Sequence, residues 1–371
     1  MSAIVPDSES NHRIRLALVG GGVIGTIHGA VIRELADQID LVAVVDLHPE
    51  RAEKLAADHG GTAFTSLTDA LQAVDIDVVS VCTPTGRHGE IAIEALEAGK
   101  HVIIEKPAET TVAKTDEIIA AQRRAGTQVA VISQHRFDPA TEVAVAAIGN
   151  GELGRLTSGI ASIDWWRGQT YYDSGDWRGT WELDGGGALM NQGVHTVDLL
   201  VATLGRPVEV FAYTGTLAHE RIEVEDVAVG VVRFENGALG VLHATTAAYP
   251  GLSARLQVHG DQGSIVIDND KLTFIHLTAS DSSAEERAYG QPGTSINQIA
   301  DFPDASGAAE QTAGSNPGQL ANDAHRRQYE NFLAALAGTE ALRVDLETNR
   351  QSIGIITGVY ESARTGKPVT L

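Results

Sequence analysis

The chain has a single cysteine, Cys82, in 371 residues, so no disulfide can form within it. Cys82 ends the apolar run Val78-Val-Ser-Val-Cys82, where a thiol behaves as a small buried hydrophobe rather than a reactive group. A reducing cytoplasm is the expected location. Basic residues are also scarce: 27 Lys and Arg stand against 49 Asp and Glu, a formal net charge of -22. That balance repels nucleic-acid phosphates and anionic lipid, both of which are bound through clustered Lys and Arg, so neither partner is expected. No apolar stretch approaches the ~20 residues needed to cross a bilayer, because charge or glycine breaks each run within a strand length. Residues 1–12 lack the basic start and apolar centre of a signal peptide and carry no twin arginine, and are expected as a short disordered tail. The 13 histidines are scattered without metal-ligand spacing, and one cysteine cannot build a cluster, so no metal site is expected.

What the chain does have is enough apolar content, 43%, to fill two cores, and a length beyond the size at which a single core stops growing. Arg13 to Val19 reads as a buried strand that runs into a glycine loop, and Thr26 to Ala36 then has helical spacing. Strand and helix go on alternating: a strand at Leu41 to Val45, a helix at Pro49 to His59, a strand at Asp77 to Cys82, a helix at His88 to Ala98 and a strand at His101 to Ile104. Gly99 and Gly126 are placed to end helices, with a further strand at Thr127 to Ile132. Such alternation predicts a parallel sheet with right-handed crossovers, a first domain ending near Phe137. From Arg155 the pattern changes to longer alternating segments, Val208 to Thr216, Val224 to Phe234, Ala238 to Ala247 and Ala254 to His259. With turns at Glu235-Asn-Gly237 and Gly260-Asp-Gln-Gly263 between them, these predict antiparallel pairing with one solvated face. Ala279 to Gly318, rich in Ser, Ala, Gly and Pro, is expected as a surface excursion, before helices at Leu320 to Ala337 and Leu346 to Arg364.

Three segments carry chemistry. Gly20-Gly-Gly-Val23-Ile24-Gly25 fits G-x-G-x-x-G between a strand and a helix, where backbone approaches a pyrophosphate at a positive helix end. Asp46 closes the second strand about 20 residues on, where a carboxylate accepts from both adenosine ribose hydroxyls. It would repel a 2′-phosphate, and neither Leu47 nor His48 supplies a guanidinium, which favours NAD over NADP, although Arg51 stands near. Thr83-Pro84 falls at the carboxyl edge of the sheet, where ligands bind in such folds, and His88 opens the next helix. Lys106 sits at a strand mouth between Glu105 and Pro107, in a run otherwise apolar. Finally, Gly185-Gly-Gly-Ala-Leu-Met-Asn-Gln-Gly-Val-His-Thr-Val-Asp198 puts Asn191, His195 and Asp198 at spacings of four and three, on one helix face.

Together these motifs resemble the glucose-fructose oxidoreductase, inositol dehydrogenase and MocA group, the Gfo/Idh/MocA family, over essentially the whole chain. The resemblance implies a Rossmann α/β domain over residues 13–137 and, over 138–371, an α+β domain with a large, mostly antiparallel open sheet for substrate binding and oligomerisation. A C-terminal helix is expected to pack back on the Rossmann domain, and a homodimer or homotetramer to form through the second sheet. Lys106 matches the family's active-site lysine and His195 its catalytic histidine, whereas Asn191 stands where many members have an aspartate. The expected cofactor contacts are Gly20, Gly22, Val23, Ile24, Gly25, Asp46, Thr83, Pro84, His88, Glu105 and Lys106. His135, within Gln134-His-Arg-Phe137, and Trp166 and Arg167 are placed near the substrate, and Arg178 joins them from an aromatic loop, Gln169 to Glu182.

The expectation is thus an NAD-dependent dehydrogenase that oxidises a secondary hydroxyl of a sugar, inositol or related polyol. His195 would take the hydroxyl proton, Lys106 would stabilise the developing alkoxide, and Asn191, unable to ionise, would orient substrate. Asp198 is expected to anchor its helix. Alternatives are a family member that retains its NAD, of glycosidase or aldose-aldose type, a nucleotide-sugar dehydrogenase, and a dinucleotide-sensing regulator without turnover. The regulator ranks last because Lys106 and His195 are both present.

Overall fold

The computed structural model describes residues 13–278, 296–306 and 323–371. The expected tail at 1–12 and most of the expected excursion at 279–318 lie outside the described residues. The chain divides into two units that interleave in sequence: the first gathers residues 13–134, 182–185 and 323–350, and the second 135–181, 186–278, 296–306 and 351–371.

The first unit alternates β1 (Ile14–Val19), α1 (Val23–Glu34), β2 (Ile39–Val45), α2 (Pro49–His59), β3 (Thr62–Phe64), α3 (Leu67–Ala73), β4 (Val78–Val81), α4 (His88–Glu97), β5 (His101–Ile104), α5 (Val112–Ala125) and β6 (Val129–Val131). The strands form one all-parallel sheet in the order β3-β2-β1-β4-β5-β6. Helices cover both faces of such a sheet, which is why β4 is buried at every position and is read from sequence as an unbroken apolar run. The order reverses between β1 and β4, and the crevice at their carboxyl ends is where ligands bind in this topology. Helix α1 begins at Val23 rather than at Thr26, directly on the extended Gly22, so the glycine loop is shorter than the spacing predicts and ends at the first helical turn. Thr111 caps α5 by accepting from Lys114 N, and Gly126, at φ 70°, ends it by donating to Gln122 O.

The second unit begins with α6 (Pro139–Gly149), β7 (Leu156–Asp164) and the short α7 (Gln169–Tyr172). A π-helical turn (Ala188–Gly193) then runs into α8 (Val194–Leu204), before β8 (Pro207–Gly215), β9 (Val227–Phe234), β10 (Leu239–Thr245), β11 (Ala254–Gly260), β12 (Gly263–Asp268) and β13 (Lys271–Leu277). A single turn of helix, α9 (Pro303–Ser306), follows. Helix α10 (Asp323–Leu336) belongs to the first unit, where Tyr329 and Phe332 share a core with Leu16, Leu18, Val31 and Ile103. From residue 351 onward, α11 (Leu346–Thr365) belongs to the second, with β14 (Val369–Thr370). The second sheet runs β13-β12-β11-β7-β10-β9-β8-β14, and only its β7–β10 pair is parallel.

One face of that sheet is covered by α8, which comes so close that a Cβ on Gly159 of β7 would stand 2.9 Å from Leu200 and 3.0 Å from Leu204. The opposite face is open but not polar: along β9, buried Ala228 and Val232 alternate with exposed Val229 and Val231. Tyr213 on β8 and Leu239 and Val241 on β10 extend the same exposed face. The hairpins predicted at Asn236-Gly237 and Gly260 to Gly263 join β9 to β10 and β11 to β12.

Phe332, buried in the first core, tests whether α10 is integral to that unit. Phe332→Ala is expected to destabilise it by about 3–5 kcal/mol, seen as a lower urea midpoint, whereas a helix lying loosely on the surface would give a change within about 0.5 kcal/mol.

Candidate active site

Two of the loop's glycines are glycine because nothing larger fits. Gly20 has φ 110°, and a Cβ there would stand 2.5 Å from the carbonyl oxygen of Cys82; on Gly25 it would stand 1.9 Å from that of Gly20. Gly22, by contrast, has nothing within 4 Å, so the loop presents bare backbone outward. No side chain caps α1, leaving its first amides, around Val23 and Ile24, and its positive end for an anion. Asp46 is locked beside the loop, accepting from Gly21 N at 2.7 Å and from His48 N at 2.8 Å. A carboxylate has about four acceptor positions, so two backbone bonds orient it and leave capacity for ribose hydroxyls. These residues fit a dinucleotide: a cradle that a Cβ would fill, an uncapped helix end and an oriented acid.

Thr83 and Pro84 follow β4 beside this loop, and the buried His88 ties them to the neighbouring strand end. Its Nε2 lies 2.8 Å from Thr83 O and its Nδ1 2.8 Å from Pro107 O. Burial holds this ring below its ordinary pKa, with the two carbonyls pulling the other way. His88 is therefore a brace between two loops. Lys106 lies two residues beyond β5 and is joined to Pro107 by a cis peptide.

Glu105 does not face outward: its carboxylate is buried, accepting from Lys106 N at 3.0 Å with one oxygen and meeting His28 Nε2 at 2.9 Å with the other. His28 Nδ1 lies in turn 2.7 Å from Tyr329 Oη and 3.2 Å from Ser80 Oγ. His325 Nε2 stands 3.9 Å from the same Glu105 oxygen. Burial alone would raise the Glu105 pKa, but the hydrogen bond and charge of His28, with His325 and Lys106, hold it at about 2. Burial likewise opposes charge on His28, yet Cys82, Tyr329 and Glu105 hold its pKa well above the usual range. An ion pair in the interior thus fixes the backbone of Lys106. Sequence reasoning missed His28, Tyr329 and His325; a histidine on the buried face of α1 was the only local signal.

In the second unit the structure corrects the expected single helix face. Asn191 lies in the π turn and His195 and Asp198 in α8, so the helical register changes between them. The cause is Glu225, distant in sequence, whose buried carboxylate accepts from Gly187 N at 2.9 Å, Leu189 N at 2.8 Å and Tyr360 Oη at 3.1 Å. Burial raises its pKa to about 7, against the pull of those donors. Asp198 anchors α8: Arg136 holds it through Nε at 2.6 Å and a terminal nitrogen at 2.7 Å.

His195 meets His135 edge to face, with ring centroids 4.9 Å apart. His135 Nδ1 lies 2.9 Å from both Asp138 Oδ2 and Asp270 Oδ1. Burial disfavours charge on His135, but Asp270 and Asp138 outweigh it and hold its pKa well above the ordinary value. Asp270 belongs to the two-residue turn between β12 and β13, where Asn269 and Asp270 both have positive φ, 47° and 64°. Asn191 accepts from Gln192 Nε2 at 3.2 Å, and that amide also donates to Tyr171 Oη at 3.1 Å. Arg167 donates to Gln192 Oε1 at 3.2 Å and stacks on Trp165, while Trp166 pairs with Ala247 and lies against His219. The structure therefore brings His135 to His195, and Arg167, Arg178 and Asn191 to one cluster around Tyr171 and Gln192.

Glu105→Gln is expected to cost about 3–5 kcal/mol at neutral pH, since it strands the buried His28 charge. The sign with pH follows from a depressed folded pKa. Glu105 contributes fully above 4.5 and loses its contribution as pH falls towards 2, so wild type and variant converge in that window. Urea denaturation at stepped pH measures it; a gap independent of pH would contradict the ion pair.

Comparison with known proteins agrees with this geometry. The profile of an oxidoreductase family with an NAD-binding Rossmann fold, GFO/IDH/MocA, matches residues 14–133, and that of a GFO/IDH/MocA C-terminal domain matches residues 142–266. Myo-inositol 2-dehydrogenase of Thermotoga maritima is 30% identical over 71% of this chain and 78% of its own. D-glucoside 3-dehydrogenase of Escherichia coli is 27% identical over 96% of this chain and 97% of its own. The WlbA dehydrogenase of Bordetella pertussis, solved with NADH and UDP-GlcNAcA, superposes with a TM-score of 0.84 at 31% identity, over 98% of this chain and 99% of its own. Matching both family profiles and 30% identical to an inositol dehydrogenase over 71% of its length, the chain belongs to the GFO/IDH/MocA oxidoreductases, and its first unit is their NAD-binding Rossmann domain.

Proposed function

We propose that this protein is an NAD-dependent dehydrogenase that oxidises a secondary hydroxyl of a sugar, inositol or related polyol. The observation that carries this reading is the Rossmann crevice itself, where the glycine cradle, Asp46 and Lys106 stand at the carboxyl ends of one parallel sheet. Bound NAD supplies the acceptor for the hydride. His195 takes the hydroxyl proton, and Lys106, its backbone fixed by Glu105, stabilises the negative charge that develops on oxygen. Asn191 cannot ionise, so it orients a hydroxyl, while His135, held between two aspartates, meets the His195 ring edge to face. Residues 13–137 hold the cofactor, and 138–371 serve substrate and subunit contacts. His135, Trp166, Arg167 and Arg178 line the substrate side. A nucleotide-sugar substrate is the second reading, favoured by whole-chain similarity to a dehydrogenase solved with UDP-GlcNAcA.

The exposed apolar face of the second sheet, with Tyr213, Val231, Leu239 and Val241, supports a homodimer or homotetramer built through it. No helix among the described residues is long and apolar enough to cross a membrane, and the lone, buried Cys82 suits a reducing cytoplasm.

NADH formation is to be followed across a panel of inositols, aldoses, anhydrosugars and nucleotide sugars, with NAD and NADP in parallel. A substrate-dependent signal with NAD is expected; strong preference for NADP would contradict the role given to Asp46. Lys106→Met should lower turnover by at least about 100-fold while NADH binding, measured by fluorescence titration, persists. Unchanged turnover would remove Lys106 from the chemistry. Val231→Glu should lower the mass seen by analytical ultracentrifugation, and an unchanged mass would place the subunit contact elsewhere.

A further inference from the structure

Two guanidinium groups converge on one aromatic ring in the second unit. Arg178 lies over Tyr171 at 4.1 Å from the ring centre and over Trp177 at 4.5 Å, while Arg167 stands 5.6 Å from the same Tyr171 ring. Like charges so placed repel, and burial followed by the neighbouring Arg178 works against charge on Arg167, which is 5% exposed. Arg167 is nevertheless held in place from several sides. It donates to Trp166 O at 3.1 Å and to Gln192 Oε1 at 3.2 Å. Its own carbonyl accepts from His219 Nε2 at 2.6 Å, and His219 is in turn held by Asp226 at 3.0 Å.

Arg178 is half-buried and, among the described residues, has no carboxylate within ion-pair distance. That is notable in a chain with 49 acidic and 27 basic residues. Of the acids around Arg178, Asp173 pairs with Arg221 at 2.8 Å and Glu223 accepts from Trp181 N at 3.0 Å. The pair also adjoins the proposed chemistry, because Tyr171 Oη accepts from the Gln192 amide that donates to Asn191. A guanidinium fork propped on aromatic faces and left without an internal carboxylate is suited to an oxyanion from outside.

We propose that Arg178, backed by Arg167 across the Tyr171 ring, is an anion subsite that selects substrates carrying a negatively charged group, a carboxylate or a phosphate, over their neutral counterparts. This rests on the dehydrogenase reading and narrows its substrate class to sugar acids or sugar phosphates, nucleotide sugars among them. Arg178 acts on specificity, so its signature is a ratio between substrates rather than a loss of turnover.

The test compares kcat/KM for glucose, glucuronate, glucose 1-phosphate, UDP-glucose and UDP-glucuronate in wild type, Arg178→Gln and Arg178→Lys. Wild type should prefer the charged member of at least one matched pair. Arg178→Gln should reduce that preference by about 10- to 100-fold, the worth of a hydrogen bond to a charged group. Arg178→Lys, which keeps charge but not the planar fork, should fall between them and shows that loss in the Gln variant is not misfolding. Preference for glucuronate over glucose, and for UDP-glucuronate over UDP-glucose, identifies the carboxylate as the source. Preference for glucose 1-phosphate or UDP-glucose over glucose identifies phosphate. A ratio unchanged in Arg178→Gln, or no preference in wild type, overturns the subsite. Calorimetric titration of the same compounds into NADH-loaded protein separates the two readings if nothing turns over. Binding of the charged members that weakens in Arg178→Gln sustains the subsite while the dehydrogenase reading fails, and no binding overturns the subsite as well.

Discussion

Ionising a carboxyl group in a protein interior costs on the order of several kcal/mol unless charge and hydrogen bonds answer it. Glu105, 4% exposed, is answered by His28 from α1, by the amide of Lys106 beyond β5 and by His325 from α10, with Ser80 of β4 and Tyr329 of α10 holding His28. Four elements are thereby fixed to one charge. A purely apolar interior would tolerate small slips of a helix along the sheet, whereas this one has a single arrangement in which every donor meets its acceptor. The arrangement matters because the helix carrying His28 is the one whose uncapped first turn is proposed to receive the dinucleotide phosphates, and Glu105 stands between β5 and Lys106.

The second unit solves a comparable problem with different means. The residues proposed to meet substrate sit on a π turn and on segments that follow β7, where regular ladders do not hold them. Carboxylates do so instead: Glu225 collects the amides at the start of the π turn, Asp198 takes a two-pronged hold from Arg136, and Asp226 holds His219, which supports the Arg167 backbone. Each acid is buried and multiply bonded, as a group at that depth must be. An acid-rich composition therefore does more than charge the surface; part of it is internal scaffolding.

The glycine loop and the placement of Asp46 beside it were legible in the sequence because they are local. Glycines at fixed offsets, the strand before them and Asp46 at the next strand end all lie within one βαβ unit, and each has a steric or hydrogen-bonding reason visible in the residue type. The register of Asn191 against His195 was not legible, since the π turn depends on Glu225, more than a strand away. The β12–β13 hairpin escaped notice because its turn, Asn269-Asp270, has no glycine and both residues adopt left-handed backbone. Nor does composition reveal that α10 closes the first core: its inward face looks the same whichever sheet it meets.

That hairpin also changes what the molecule can tolerate. Surface turns are ordinarily where a chain accepts extra residues at least cost. Here Asp268 pairs with Lys271 across a loop of only two residues, and one of those, Asp270, reaches His135 at 2.9 Å. An insertion of one residue would rotate the carboxylate away from the imidazole, so a position that looks like spare chain is length-constrained by a residue outside the sheet. Diversification of this protein must proceed around that turn rather than through it.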